Sequence, residues 1–320
     1  LDLKKLMHRP FMIMRGDFGK MPVEAVIHYG QEDEFHSRWD VLTAIVADGA
    51  THVGEYAFMA CENLQGITLP NSLETINRGA FMNCSSLYLA EFKQGLLSIE
   101  SEAFCCCISM KELILPDSIQ RVGKHAFKEN TGLRNATLPT GLEVVGEEAF
   151  LGCTSLQDLS VIGNADEDAL KEKATSPMAR SIHPRCFFGC RNLLLVNLRG
   201  AIFYSIGFCA FQLCVSLREV QLNESLVAIS EGAFKECRNL RKVLCASNLK
   251  RIESQAFKDC KKLESINLPE TLDHIGREAF RHCKSLKTIH LHGGIECIEQ
   301  SVFFLCKSLS LIILPANLKW

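Results

Sequence analysis

Apolar residues recur along most of the chain with one fixed spacing. Phenylalanine marks eleven units, and eight of the ten intervals between these residues are 23 residues long. The interval after Phe150 is 37 residues, an insertion of 14, and the next interval is 24. Such a period indicates a stacked array, because one short unit cannot bury its own apolar side chains. The predicted ladder consists of Phe58, Phe81, Phe104, Phe127, Phe150, Phe187, Phe211, Phe234, Phe257, Phe280 and Phe303.

Other positions keep step with this phenylalanine. Alanine precedes it in nine units, cysteine follows three residues later in all units but one, which has Asn130, and a leucine or methionine follows after six. The unit reads LxxIxLPxxLxxIxxxAFxxC, and its IxL segment alternates with the period of a strand that has one buried face. The proline that often follows ends this strand. The pattern predicts one short strand per unit, stacked in parallel over about 50 Å.

Segments such as AFLGCTSLQDLSV at 149–161 and LPETLDHIGREAFRHCKSL at 268–286 resemble the BspA-like class of leucine-rich repeats. The resemblance covers about residues 41–320. It implies a β-rich α/β repeat solenoid, a right-handed leucine-rich-repeat horseshoe with a parallel β-sheet on its concave face. It also implies protein recognition or adhesion, and it carries no catalytic residue to this chain.

The repeat divides the chain into two regions. Residues 1–40 do not fit the period and are predicted to be an N-terminal cap or a leader, with the stretch MPVEAVIHY at 21–29 as the candidate cap strand. Residues 41–320 form the predicted solenoid, with an inserted loop at 162–180 that is either solvated or in contact with a partner. No signal peptide is recognisable, and no run of eighteen apolar residues predicts a membrane span.

Candidate chemistry adds little to this picture. Ten of the sixteen cysteines occupy the repeat position and are interpreted as packed, reduced thiols, which favours the cytoplasm over secretion or the cell surface. The tandem Cys105 and Cys106 could include one exposed, oxidisable thiol. His290 and His292 lack a third ligand and are interpreted as a solvent-facing pair. The sequence contains no recognisable catalytic motif, so we expect neither an enzyme nor a cofactor or metal site.

Charge is distributed unevenly. The formal net charge of −2 is the sum of −9 over residues 1–184 and +7 over residues 185–320, which argues against a general nucleic-acid binder. Repetition aligns basic residues on the predicted concave face, where they are either a solvated surface or the site of an acidic protein partner. A cell-surface adhesin or carbohydrate-contacting module is the alternative function. The candidate partner-binding residues are Arg218, Gln221, Arg241, Lys242, Asn267, Lys287 and His290.

Overall fold

The computed structural model describes residues 12–13, 23–27, 37, 41–162 and 180–319. In these residues the chain forms a parallel-strand β-solenoid of about eleven turns, which confirms the predicted repeat fold. The segment around each ladder phenylalanine is a series of turns. No helix occurs in the part of the chain that the structure describes, so the α component of the expected α/β class is not seen there.

The strands are short and follow one another in two alternating sets. In chain order they are β1 (Met12–Ile13), β2 (Val23–Ile27), β3 (Val41–Val46), β4 (His52–Val53), β5 (Gly66–Thr68), β6 (Thr75–Ile76), β7 (Leu89–Ala90), β8 (Ser98–Ile99), β9 (Glu112–Ile114), β10 (Arg121–Val122), β11 (Asn135–Pro139), β12 (Val144–Val145), β13 (Asp158–Ile162), β14 (Ser181–Ile182), β15 (Leu195–Asn197), β16 (Ser205–Ile206), β17 (Glu219–Gln221), β18 (Ala228–Ile229), β19 (Lys242–Leu244), β20 (Arg251–Ile252), β21 (Ser265–Ile266), β22 (His274–Ile275), β23 (Thr288–His290) and β24 (Leu311–Ile313).

The first set contains the IxL strands that the sequence predicts. They form a sheet of order β1-β2-β3-β5-β7, a seven-stranded sheet from β9 to β21, and the pair β23-β24. The central residue of each three-residue IxL strand from β9 to β23 is buried, whereas its neighbours face outward to different extents. Because successive side chains of a strand point to opposite faces, these outward residues form columns along the stack.

The second set was not expected from the sequence. Ten two-residue strands, β4 to β22, form another parallel sheet on a different side of each turn within the described residues. Each contributes one buried apolar residue, such as Ile76 in β6 or Ile252 in β20. This residue occupies the isoleucine position of the LxxI segment, which holds valine in β4, β10 and β12. The strand is too short to give a recognisable alternation.

The register of both sheets repeats every 23 residues, apart from two adjustments. Leu159 of β13 pairs with Val196 of β15, so the insertion leaves the strands on both sides in register. The paired residues Ser181 and Ser205, of β14 and β16, lie 24 positions apart, whereas Ser205 and its partner Ala228 in β18 lie 23 positions apart. The extra residue of the next unit therefore precedes β16, in the connection from β15. Both changes of length fall between strands and leave the core positions intact.

All eleven ladder phenylalanines stack ring on ring. The ten successive centroid distances lie between 5.0 and 5.8 Å, with interplanar angles between 2° and 15°. The first ten rings are fully buried, and Phe303 in the last turn is partly exposed. The stack places one aromatic ring in the core of every turn, so each turn is packed against the turn on either side.

The cysteine position forms a second internal ladder. The Sγ of each ladder cysteine from Cys84 onward donates to the backbone oxygen of the phenylalanine in the preceding turn, at 3.0 to 3.3 Å, except where Asn130 replaces cysteine. A thiol satisfies a buried carbonyl oxygen here while it fills the volume of a small apolar group. No disulfide joins the sixteen cysteines, all of which lie within the described residues.

Asn130 occupies the ladder-cysteine position in its turn and makes a different hydrogen bond to the preceding turn. Its side chain is fully buried, and its Oδ1 accepts a hydrogen bond of 2.8 Å from the backbone N–H of Cys107. Its Nδ2 lies 3.8 Å from the sulfur of Met110. The amide therefore links the same two turns that a cysteine links elsewhere, through the backbone N–H of Cys107 instead of the carbonyl oxygen of Phe104.

We expect Asn130→Ala to lower the free energy of unfolding by about 0.5–1.5 kcal/mol, the net value of one hydrogen bond. The buried N–H of Cys107 loses its 2.8 Å acceptor and keeps only the longer 3.4 Å contact with the oxygen of Phe104. Asn130→Cys introduces the residue used at this position by the other turns and should have a clearly smaller effect. Urea unfolding followed by circular dichroism measures both. An equally destabilised Asn130→Cys variant would show that the amide is required at this position.

Every turn contains two residues in the left-handed backbone region. They lie two residues before and two residues after the ladder phenylalanine, and all twenty-two have a positive φ. Only four are glycine, although a residue with a side chain pays roughly 1–2 kcal/mol to adopt this conformation. Glu148 and His125, for example, have φ of 54° and 58°. The packed turns on both sides maintain these conformations.

At the N-terminal end, β2 pairs in parallel with β3 and antiparallel with β1. Strand β2 lies within the predicted cap segment 21–29. Of the predicted insertion 162–180, residues 163–179 lie outside the described residues. Arg180, at its C-terminal end, is buried, and its guanidinium contacts Glu143 at 3.0 Å.

Candidate functional site

The sequence assigns the candidate binding residues to the outward side of the IxL strands. Arg218 and Arg241 occupy the same position in consecutive turns, immediately before β17 and β19, and both are exposed. Parallel pairing places Glu219 of β17 beside Lys242 of β19, so one strand spacing separates the two turns. The two arginines therefore lie in adjacent turns, at the N-terminal ends of neighbouring strands.

These arginines line a polar groove with a volume of about 450 Å³, which we call the basic groove. It crosses four turns, because Leu194 comes from the turn before that of Arg218 and Lys262 comes from the turn after that of Arg241. Its lining residues are Leu194, Ser216, Arg218, Asn239, Arg241 and Lys262. Asn239 is held in place by a 2.8 Å hydrogen bond from its Nδ2 to the backbone oxygen of Val215.

The three cations of the basic groove make no ion pair with any carboxylate in the described residues. By contrast, Lys242 lies 3.8 Å from Glu219, and Lys287 lies 3.6 Å from Glu264. Each of these two pairs joins residues 23 positions apart, in adjacent turns. The charge of Arg218, Arg241 and Lys262 is left uncompensated along the rim of a groove, whereas the neighbouring lysines are already paired.

A second groove lies further along the same face, toward the C-terminal end of the solenoid. Its volume is about 340 Å³, and it is lined by Asn267, His290 and His292 together with apolar side chains that include Leu311 and Ile313. The two imidazole rings are 4.1 Å apart between centroids. This groove carries polar groups beside exposed apolar ones, and no arginine or lysine lines it.

The seven predicted binding residues are thus separated into three groups. Arg218 and Arg241 lie in the basic groove, and Asn267 and His290 line the second groove. Lys242 and Gln221 both contact Glu219, the latter through a 3.0 Å hydrogen bond from its Nε2, and Lys287 contacts Glu264. The sequence analysis missed Ser216, Asn239 and Lys262, which share the position five residues after the ladder phenylalanine.

The thiols of the core offer no reactive centre. Burial raises the pKa of Cys245 to about 12, and it raises the pKa of ladder thiols such as Cys237 and Cys260 well above the ordinary value. A thiol that stays protonated is a poor nucleophile. Within the described ranges, no three histidine, cysteine or acidic side chains are placed to hold a metal ion. The same ranges contain no helix long and apolar enough to cross a membrane.

Comparison with known proteins agrees with this architecture. The family model for the BspA type leucine-rich repeat region matches residues 51–171 and 180–310, in six copies. A leucine-rich repeat protein from Bacteroides ovatus ATCC 8483 is similar over 98% of this chain and 90% of its own, with 23% identity and a TM-score of 0.59. A leucine-rich repeat protein from T. pallidum has 24% identity, covers 61% of this chain and 83% of its own, and has a TM-score of 0.45.

No curated protein matches the sequence. The Bacteroides ovatus structure is similar in fold, and the family model accounts for most of the solenoid repeats. The 23-residue period, the phenylalanine and cysteine ladders and the IxL strands from β5 to β23 lie within the matched ranges. The chain belongs to the BspA-type leucine-rich repeat family.

Proposed function

We propose that this chain is a non-catalytic scaffold that binds an acidic segment of another protein through the outward side of its C-terminal IxL strands. One observation carries the proposal: Arg218, Arg241 and Lys262 converge on one polar groove without a carboxylate partner in the described part of the chain. Leucine-rich repeat proteins generally serve in protein interaction or as surface scaffolds, which is consistent with this assignment.

The other candidate residues contribute according to their contacts. Lys242 and Lys287 would have to leave Glu219 and Glu264 to bind a partner, and exposed pairs of this kind are worth only about 0–1 kcal/mol. They are therefore available at little energetic cost but are weaker anchors than the unpaired arginines. Gln221, Asn267 and His290 extend the proposed contact along the strands toward the second groove.

The flanking regions enter the proposal as well. Residues 1–40 are proposed to cap the first turn of the solenoid 41–320, because β2 pairs with the edge of β3. A strand in this position shields backbone groups that an exposed sheet edge would leave unpaired. The loop 162–180 is proposed as a solvated excursion from the solenoid, since the strands on either side pair as if it were absent.

The groove predicts a charge-dependent interaction. A fluorescein-labelled octaglutamate peptide should bind the wild-type chain, whereas octalysine should not, with anisotropy as the measurement. We expect Arg218→Glu combined with Arg241→Glu to slow association by about tenfold or more, because like charges repel during encounter. Binding should also weaken once added salt reduces the screening length below about 8 Å.

The chain provides a matched control. Lys111 and Arg134 occupy the same repeat position as Arg218 and Arg241, are also exposed, and lie in the acidic half. Lys111→Glu combined with Arg134→Glu changes the net charge by the same amount at the same kind of surface. Equal loss of binding in the two double variants, or binding that is independent of salt, would contradict the proposed site.

A further inference from the structure

Two neighbouring cysteines lie outside both internal ladders. Cys105 and Cys106 follow Phe104 directly, and their Sγ atoms are 3.6 Å apart. Cys106 is half-buried and open to solvent on one side, whereas Cys105 is almost fully covered. The third cysteine of the run, Cys107, belongs to the core ladder and donates to the oxygen of Phe81. Two thiols are thus paired near the surface, and the third points away from them.

The spacing of the two sulfur atoms decides what the pair can do. A disulfide brings its sulfur atoms to about 2.05 Å and normally requires Cα atoms at least about 4.4 Å apart. Adjacent residues in a trans peptide have Cα atoms only about 3.8 Å apart, so direct oxidation of this pair is disfavoured. By contrast, two thiolates on one tetrahedral atom, with bonds of about 2.3 Å, are about 3.8 Å apart. The observed 3.6 Å fits one bridging atom.

The number of ligands near Cys105 and Cys106 limits which atom can bridge their two sulfur atoms. Structural zinc and related ions require four ligands, and no third histidine, cysteine or carboxylate joins this pair among the described residues. Trivalent arsenic that already carries one organic group needs only two further bonds. Its pyramidal geometry also brings the two sulfur atoms slightly closer than a tetrahedral ion does, in the direction of the observed distance.

We infer that Cys105 and Cys106 form a dithiol site for monosubstituted trivalent arsenicals. In the reaction, two arsenic–sulfur bonds replace the arsenic–oxygen double bond of R–As=O. The two thiol protons leave with that oxygen as one water molecule. Arsenic remains trivalent and both sulfur atoms keep their oxidation state, so no oxidant takes part.

The preceding turn supplies a replacement for both residues. There the sequence after the ladder phenylalanine reads Met82-Asn83-Cys84, where this turn reads Cys105-Cys106-Cys107. Asparagine tolerates the left-handed conformation that both Asn83 and Cys106 adopt, with φ of 64° and 61°. Cys105→Met combined with Cys106→Asn therefore removes the dithiol and keeps residues that this fold already uses at both positions.

Phenylarsine oxide is the probe, added to the native chain and followed by intact-mass spectrometry. We expect one phenylarsenic group per chain that withstands 2-mercaptoethanol and is released by 2,3-dimercaptopropanol, since only a dithiol competes with a chelate. The double variant should take up none. Cys297→Ser, which removes the exposed single thiol, should still take up one.

Peptide mapping of the wild-type adduct keeps the test decisive if the double variant folds poorly. An arsenic bridge on the peptide that contains Cys105 and Cys106 supports the site. No uptake by the native wild-type chain, equal uptake by a folded double variant, or a bridge mapped to other cysteines would overturn it.

Discussion

Replacing Phe234 with alanine is expected to lower the free energy of unfolding by about 3–5 kcal/mol, the cost of truncating an aromatic residue in a packed core. The ring is fully buried, and its centroid lies 5.2 Å from that of Phe211 and 5.3 Å from that of Phe257. Its removal breaks two stacked contacts and leaves a cavity between three turns. Chemical denaturation followed by circular dichroism gives the change in stability.

Phe304 provides the control for this substitution. It is also a phenylalanine of a turn, but it is 50% exposed, and its ring contacts the guanidinium of Arg281 at 5.0 Å. Phe304→Ala should cost no more than about 1 kcal/mol, in the range of an exposed cation–π contact. Similar losses for Phe234→Ala and Phe304→Ala would mean that the stacked ladder contributes little to stability.

The second large effect concerns the register. Deleting the 23 residues 243–265 joins Lys242 to Ile266, so Ile266 takes the buried position of Val243 and every later residue keeps its face. We expect this shortened chain to fold cooperatively with one turn fewer. Each turn contacts mainly its neighbours, so the array tolerates the loss of a complete unit.

Deleting the 22 residues 243–264 joins Lys242 to Ser265 and shifts the following strand by one residue. Ser265 and Asn267 then point into the core, and Ile266 points outward. Losing two buried apolar side chains costs about 3–6 kcal/mol relative to the 23-residue deletion. Thermal unfolding of the two deletion variants compares them directly, and indistinguishable stabilities would contradict a fixed strand register.

The sequence predicted those features that repeat with large apolar side chains. Phe234 and Cys237 recur in step with their neighbours, so the two ladders and the IxL strands follow from the period and from burial alone. The second sheet did not follow, because a strand such as Thr75–Ile76 has no alternation to read. The left-handed positions were equally hidden, since Glu148 or His125 occupies them where glycine would have revealed them.

The candidate site was predicted only in part, for a related reason. The repeat pattern aligned Arg218 and Arg241 at one repeat position, but it treated Lys242 and Lys287 as equally available cations. Their partners, Glu219 and Glu264, precede them by 23 residues, so the repeat itself could have indicated these pairs. Lys262 could have been identified in the same way, as the basic member of the column that contains Ser216 and Asn239.

Because each turn contributes one strand, side chains on the outward face are regularly spaced along the stack. Neighbouring strands are about 4.8 Å apart, whereas an extended peptide advances about 3.3 Å per residue. Three residues of such a peptide span about 10 Å, which is nearly the length of two strand spacings. Arg218 and Lys262 are two turns apart, so an extended partner running along the stack would meet them with side chains three residues apart. A partner of the proposed acidic kind would therefore be selected by the spacing of its acidic residues as well as by their charge.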